Sequence, residues 1–220
     1  MTTKINFGNN LINRKPVIID LDNIEYTNIL NVGQSGSGKT MRNIDKIKQL
    51  KHKYKDSVYI IVITDSNKYN KVKDQIDLLK SYDDCDYNIF DTTNEINTNI
   101  NVSYIRKIKS FIIVDIDHSI WDEQLGYWIK SIIGTTRIRD CQIINTETDI
   151  EKVPFEIMAQ SSIIEFGWYS NIYSYDDNLL NRYGIVNKNI KYDVKRLNTS
   201  EYILSVKEHR IPVAGRKIEL

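Results

Sequence analysis

Eight residues, Gly33-Gln34-Ser35-Gly36-Ser37-Gly38-Lys39-Thr40, meet every fixed position of the pattern G-x-x-x-x-G-K-[ST], with an apolar run before them and a helical pattern after them. Those residue types at that spacing suit the handling of a nucleotide's phosphates. Three glycines let successive backbone N–H groups turn inward around an anion, because a Cβ would block the turn and the close approach. Lys39 would neutralise the β and γ phosphates, and Thr40 offers a hydroxyl to Mg²⁺. The helix that starts here points the positive end of its dipole at the same anion. A Gly/Ser-rich turn without a ligand is the plainer alternative, and the flanking strand and helix signals speak against it.

A phosphate loop needs a partner carboxylate, since Mg²⁺ is held by the loop hydroxyl and by an acid at the end of a neighbouring strand. Phe111-Ile112-Ile113-Val114 followed by Asp115, about 75 residues after the loop, supplies one. The expected metal ligands are therefore Thr40 and Asp115, with Asp117 as competitor and a strand-end cap as the structural alternative. ATPases that activate water usually carry a second carboxylate directly after the first, to orient it. Here that place is Ile116, so either Asp117 does the job from a bulged strand end or turnover is slow. Arg137 and Arg139, within Thr135-Thr136-Arg137-Ile138-Arg139-Asp140, are candidates for a charge-stabilising arginine lent to a neighbouring subunit. Ordinary surface arginines, or a pair with Asp140, are the alternative.

The elements that must position these groups follow an α/β pattern: through the first three quarters, apolar runs alternate with amphipathic stretches, as in a mostly parallel sheet flanked by helices. Residues Tyr26 to Val32 read as the strand feeding the loop. The helix after it carries Met41, Ile44, Ile47, Leu50 and Tyr54 on one face. Its other face carries Lys46, Lys48, Lys51, Lys53 and Lys55, which reads as solvated surface. Val58 to Thr64 is a continuous β-branched run expected of a strand buried on both faces. A helix over Tyr69 to Leu79 and an Asn/Thr-rich loop over Asp91 to Val102 follow. Beyond the strand ending at Asp115 comes a helix with Trp121, Leu125, Trp128, Ile129 and Ile132 on one side. Short strands at Gln142 to Asn145 and Ser162 to Phe166 flank a helix from Pro154 to Gln160. From Lys191 onward the pattern turns to alternation, with Tyr202 to Val206 and Ile211 to Val213 as a terminal hairpin or edge strands and Ala214-Gly215-Arg216 as a turn. One domain is expected over residues 1–220: an N-terminal strand or extension at 1–24, a core at 25–185 and C-terminal β elements at 186–220.

Composition narrows the rest. Thirty basic and 29 acidic residues leave a net charge of +1, so any contact with DNA must be local. Cys85 and Cys141 lack metal-type spacing, and His52, His118 and His209 form no cluster, which speaks against zinc and disulfide chemistry. No apolar run approaches a membrane span, so the expectation is a soluble intracellular protein. Abundant Asn, Ile, Lys and Tyr match an AT-rich genome, which discounts lysine patches as signals.

With both halves of the site placed, the chain resembles the FtsK/HerA superfamily of ring-shaped DNA-translocating ATPases, which includes the genome-packaging ATPases of many viruses. Lys15-Pro16-Val17-Ile18-Ile19-Asp20-Leu21-Asp22 and Ile29-Leu30-Asn31-Val32 resemble its entry into the phosphate loop, and Phe111 to Asp115 its Walker B strand. Arg137 followed by Cys141-Gln142-Ile143-Ile144-Asn145-Thr146-Glu147, and then Ser162 to Phe166, resemble its next two strands, so the likeness spans about residues 15 to 185. It implies a three-layer, RecA-like P-loop NTPase fold that uses ATP and Mg²⁺. It also implies a homo-hexamer with ATP at subunit junctions, double-stranded DNA in the channel, and a capsid portal or vertex protein as a further partner. For a viral protein the implied location is the host cytoplasm or the virion. Arg106, Lys107 and Lys109 are candidates for a channel contact.

The departures are informative. The family has an acid where this chain has Ile116, and a γ-phosphate-sensing glutamine where it has Glu147. A carboxylate there would repel phosphate unless protonated or turned toward a base or water. The short chain fits a compact viral or plasmid-borne packaging motor better than a chromosome translocase with membrane segments and a winged-helix DNA reader. Two other classes compete: an ATP-binding switch or assembly protein with weak hydrolysis, and a small-molecule kinase, which lacks an evident arginine-rich lid.

Overall fold

Short runs with apolar residues, bounded by polar turns, give ten strands among the described residues, and a computed structural model shows how they pair. It describes residues 4–24, 28–54, 58–64, 87–91, 109–115, 141–183, 185, 188–206 and 209–214. In chain order the strands are β1 (Lys4–Asn10), β2 (Pro16–Asp20), β3 (Ile29–Val32), β4 (Val58–Thr64) and β5 (Tyr87–Asp91). They continue with β6 (Lys109–Asp115), β7 (Cys141–Glu147), β8 (Ile163–Phe166), β9 (Glu201–Val206) and β10 (His209–Ala214). They form one sheet in the order β2-β1-β10-β9-β8-β3-β7-β6-β4-β5.

The run from β8 through β5 is parallel throughout, as the α/β pattern predicts. Beyond β8 the sheet continues with four antiparallel strands: the expected hairpin β9–β10, and then β1 and β2. This exceeds the expectation of a hairpin or edge strands. The main-chain groups on the outer side of β8 would otherwise be unpaired, and the added strands satisfy them.

Helices lie on both faces. Alternation along the strands divides the side chains, with Ile29, Ile163, Tyr202 and Leu204 in one buried cluster and Leu30, Ile164, Phe166 and Ile203 in the other. The first cluster receives Ile47 and Leu50 of α1 (Lys39–Tyr54), together with Ile5, Phe7 and Val17. The second receives Ile157 of α2 (Phe155–Ala159), Leu180 of α3 (Asp177–Arg182) and Val194 of α4 (Lys188–Arg196).

Several boundaries differ from expectation. Lys191 onward is not immediately alternating: α4 forms because Ile190 and Val194 stand one turn apart and pack on the second cluster. Asp91, expected to open a loop, closes β5 beside Thr64, and Ala214, expected in a turn, ends β10. The loop-feeding strand begins at Ile29. The helices expected over 69–79 and near 121–132, the loop at 92–102 and the turn residues Gly215 and Arg216 lie outside the described residues.

Among the described residues, three tyrosines are almost fully buried yet hydrogen-bonded. The Tyr169 hydroxyl donates to Thr148 O at 2.7 Å, that of Tyr183 to Ile150 O at 2.7 Å, and that of Tyr202 to Phe7 O. Burial pushes all three phenols well above the usual value of 10.0. Because the folded pKa is raised, the unfolded chain loses these protons first, so their contribution is complete below pH ~10 and is lost above it. Urea unfolding followed across that boundary is expected to show stability falling as pH rises, and Tyr183→Phe should make the fall shallower.

Candidate phosphate-binding site

The Gly33–Thr40 segment joins the C-terminal end of β3 to the first turn of α1. Neighbouring strand ends fasten it: Gly33 N donates to Glu147 O at 3.2 Å, Gly167 N to Val32 O at 2.8 Å, and Gln34 N to Trp168 O at 3.0 Å. The Gln34 amide oxygen accepts from both the N–H and the hydroxyl of Ser170, each at 3.0 Å. Ser37 N closes the turn onto Gln34 O at 3.0 Å and leaves Ser35 and Gly36 exposed at the crest.

Two glycines are explained by sterics. At Gly33 a Cβ would lie 2.3 Å from Ser37 Oγ. At Gly38, φ is +83° and a Cβ would lie 2.3 Å from the carbonyl oxygen of Thr199, in the α4–β9 connection, so any side chain would be both strained and obstructed. Lys39 folds over the loop, its ammonium donating to Gly33 O at 2.5 Å and Gln34 O at 3.1 Å. This holds a cation, with Thr40 next to it on the first turn of α1, over the loop at the helix N-terminus.

Behind the loop lies a buried polar layer. Asn31, Thr146 and Glu165 stand side by side on β3, β7 and β8, facing α1. Asn43 Nδ2 donates to Thr146 Oγ1 at 2.7 Å, and Asn31 Nδ2 to Asn43 Oδ1 at 3.0 Å and Lys39 O at 3.1 Å. Arg42 donates to Glu165 Oε2 at 3.1 Å, Asn31 Oδ1 at 2.6 Å and Ser37 O at 2.7 Å. Lys46 lies 2.6 Å from Glu165 Oε1. The expectation of a solvated lysine face thus fails at Lys46, which is 3% exposed. It is drawn inward by Glu165 and by the Phe7 ring, 5.5 Å from its ammonium. Burial lowers the Lys46 pKa against the opposing pull of Glu165. The sequence carried the signal for this layer in single polar residues, Asn31 and Glu165, inside otherwise apolar four-residue strands.

The other expected residues fall as follows. Asp115 ends β6 in register with Thr146 of β7, itself in register with Asn31 of β3. It therefore stands two strands, about 10 Å, across from the loop-bearing strand at the same end of the sheet. Glu147 ends β7 beside Val32 and is 1% exposed, and its Oε1 accepts from Thr148 N at 2.6 Å and Asp149 N at 3.0 Å. Lys109 opens β6 opposite Val58. Asp117, Arg137, Arg139, Arg106 and Lys107 lie outside the described residues. Among the described residues, no helix is long and apolar enough to cross a membrane.

A family model described as Poxvirus A32 protein matches residues 20–200. No curated protein matches the chain in sequence. Among solved structures, VirB4 of Thermoanaerobacter pseudethanolicus superposes with a TM-score of 0.64 at 10% identity, over 97% of this chain and 96% of that one. The genome packaging NTPase B204 from Sulfolobus turreted icosahedral virus 2, in complex with ATP-gammaS, gives 0.55 at 13% identity over 87% and 98%. EssC (ATPases 2 and 3) from Geobacillus thermodenitrificans gives 0.66 at 14% identity, over 98% of this chain and 46% of that one. At such identities the likeness is one of fold.

Proposed function

This chain belongs to the poxvirus A32 protein family, and from that premise we propose that it is an ATPase that couples ATP hydrolysis to movement of double-stranded DNA, packaging a viral genome. The observation that carries this reading is the phosphate loop itself, folded at the end of a central parallel strand with the Lys39 ammonium across it. The fold is shared with a viral genome packaging NTPase that binds an ATP analogue.

In this reading the loop N–H groups and Lys39 hold the β and γ phosphates. Thr40 and Asp115 are hard oxygen donors of the kind Mg²⁺ prefers, and they would hold it between loop and strand end. Bound there, Mg²⁺ neutralises charge developing on the transferred phosphoryl group. Asp117 orients the attacking water, and Arg137 or Arg139 reaches a neighbouring subunit's nucleotide in a homo-hexamer around the DNA. Glu147 acts through its main chain, accepting from Gly33 N. A capsid portal or vertex protein would receive the motor, which works in the host cytoplasm or on the virion.

A second reading, an ATP-binding switch with weak hydrolysis, draws on Glu147, whose Oε1 is taken up by two backbone N–H groups, and on Ile116 in the place of an acid. One assay separates the two: ATP hydrolysis by purified protein with and without linear double-stranded DNA. The motor reading expects DNA to stimulate turnover, and a rate indifferent to DNA would count against it. Binding without turnover would favour the switch, and Ile116→Glu should then raise the rate.

A further inference from the structure

We propose that Arg42 is a positioning residue for nucleotide phosphate, acting through the peptide between Ser37 and Gly38. This rests on the reading of the Gly33–Thr40 loop as a phosphate site. Arg42 lies outside the eight-residue motif and is 6% exposed on the face of α1 turned toward the sheet. Its guanidinium makes one contact with each of three supports. Nη1 donates to Ser37 O at 2.7 Å, Nη2 to Asn31 Oδ1 at 2.6 Å, and Nε to Glu165 Oε2 at 3.1 Å. The Tyr202 ring covers it, 4.8 Å from the guanidinium carbon.

The contact with Ser37 O has a consequence at the other end of the same peptide unit. A charged donor on the carbonyl draws electron density from the amide, so the Gly38 N–H becomes a stronger donor, and that N–H is one of the loop groups assigned to phosphate. The geometry is held from the far side. Asn31 and Glu165 are neighbours on adjacent strands, so the guanidinium is fixed relative to the sheet, and Ser37 O is fixed to the guanidinium.

The local charge count acts in the same direction. Two cations, Arg42 and Lys46, share the single carboxylate of Glu165, which is fully buried. Asp45, on the same helix, is partly open to water and screened. The planar fork of the guanidinium lets Arg42 reach Ser37 O, Asn31 and Glu165 at once, which a lysine's single ammonium matches less well.

The test compares wild type, Arg42→Lys and Arg42→Met. Methionine leaves Lys46 and Glu165 as a balanced pair; lysine keeps the charge without the fork. Two quantities are read: affinity for a fluorescent ATP analogue, and the ¹⁵N–¹H resonance of Gly38 without nucleotide. Arg42→Met is expected to weaken ATP binding roughly 3- to 10-fold and to shift the Gly38 amide toward that of an unpolarised peptide. Arg42→Lys should lie between it and wild type on both counts. A folded Arg42→Met protein with wild-type ATP affinity, or a Gly38 resonance that does not move, overturns the proposal. If Arg42→Met does not fold, Arg42→Lys decides alone, and an unmoved Gly38 resonance there is fatal. Failure of the wild-type protein to bind ATP would instead overturn the functional reading, while the Gly38 resonance still reports on the polarised peptide.

Discussion

Lys39→Ala is expected to lower ATP turnover by roughly 100- to 1,000-fold, the loss typical of removing one preorganised charge-stabilising donor. The structure separates this effect from folding. The Lys39 ammonium donates to Gly33 O and Gln34 O. The loop itself is fastened independently, by Gly33 N on Glu147 O, Gln34 N on Trp168 O and Ser170 on the Gln34 side chain. The variant should therefore melt within a few degrees of wild type while failing to retain ATP, as equilibrium binding and differential scanning calorimetry can check together. Normal ATP affinity in a folded Lys39→Ala protein would falsify the assignment of the site.

Glu165→Ala should show the opposite balance, a loss of stability of about 3–5 kcal/mol. Its carboxylate is the partner of two buried cations, Arg42 at 3.1 Å and Lys46 at 2.6 Å, and removing it leaves both uncompensated next to Asn31. For a chain of this size the melting temperature should fall by ~6–20 °C. The pH dependence has a definite sign. Burial already holds the Lys46 pKa below 10.5 against the pull of Glu165, and without that pull it falls further. The unfolded chain then binds more protons in the interval below 10.5, so the variant should gain stability as pH rises through that interval. A variant as stable as wild type, with no rise toward alkaline pH, would remove the buried charge layer from the account.

The Gly33–Thr40 loop could be read from sequence because most of its constraints are local: a glycine where a Cβ meets Ser37, a glycine at positive φ, a lysine at the helix start. The parallel strands were legible for a similar reason, since six of the seven residues of Val58–Thr64 are β-branched, the seventh is Tyr59, and the run suits burial on both faces. The antiparallel side was less so. Strand β1, Lys-Ile-Asn-Phe-Gly-Asn-Asn, alternates only over Ile5 and Phe7, and β10, the partner that ties it into the sheet, lies some 200 residues away. Helix α4 was missed because four of its nine residues are basic and only Ile190 and Val194 mark its inner face. Lys46 was misread because periodicity records which face a residue occupies, whereas the charge of Glu165 that makes burial tolerable comes from a distant strand. Arg42 was overlooked on the same ground, its three partners lying on the loop, β3 and β8.

The sheet places β1 between β2 and β10, and Tyr202 covers Arg42 while donating to the carbonyl of Phe7, whose ring lies over Lys46. Translation makes these parts far apart in time. A nascent chain carries its phosphate loop and α1 long before the ribosome adds the strands that close over them, and until then the paired cations beneath the loop lie against water on one side. The Gly33–Thr40 loop is thus covered by residues synthesised well after it, and a copy halted before β9 lacks the cover on which Arg42 rests.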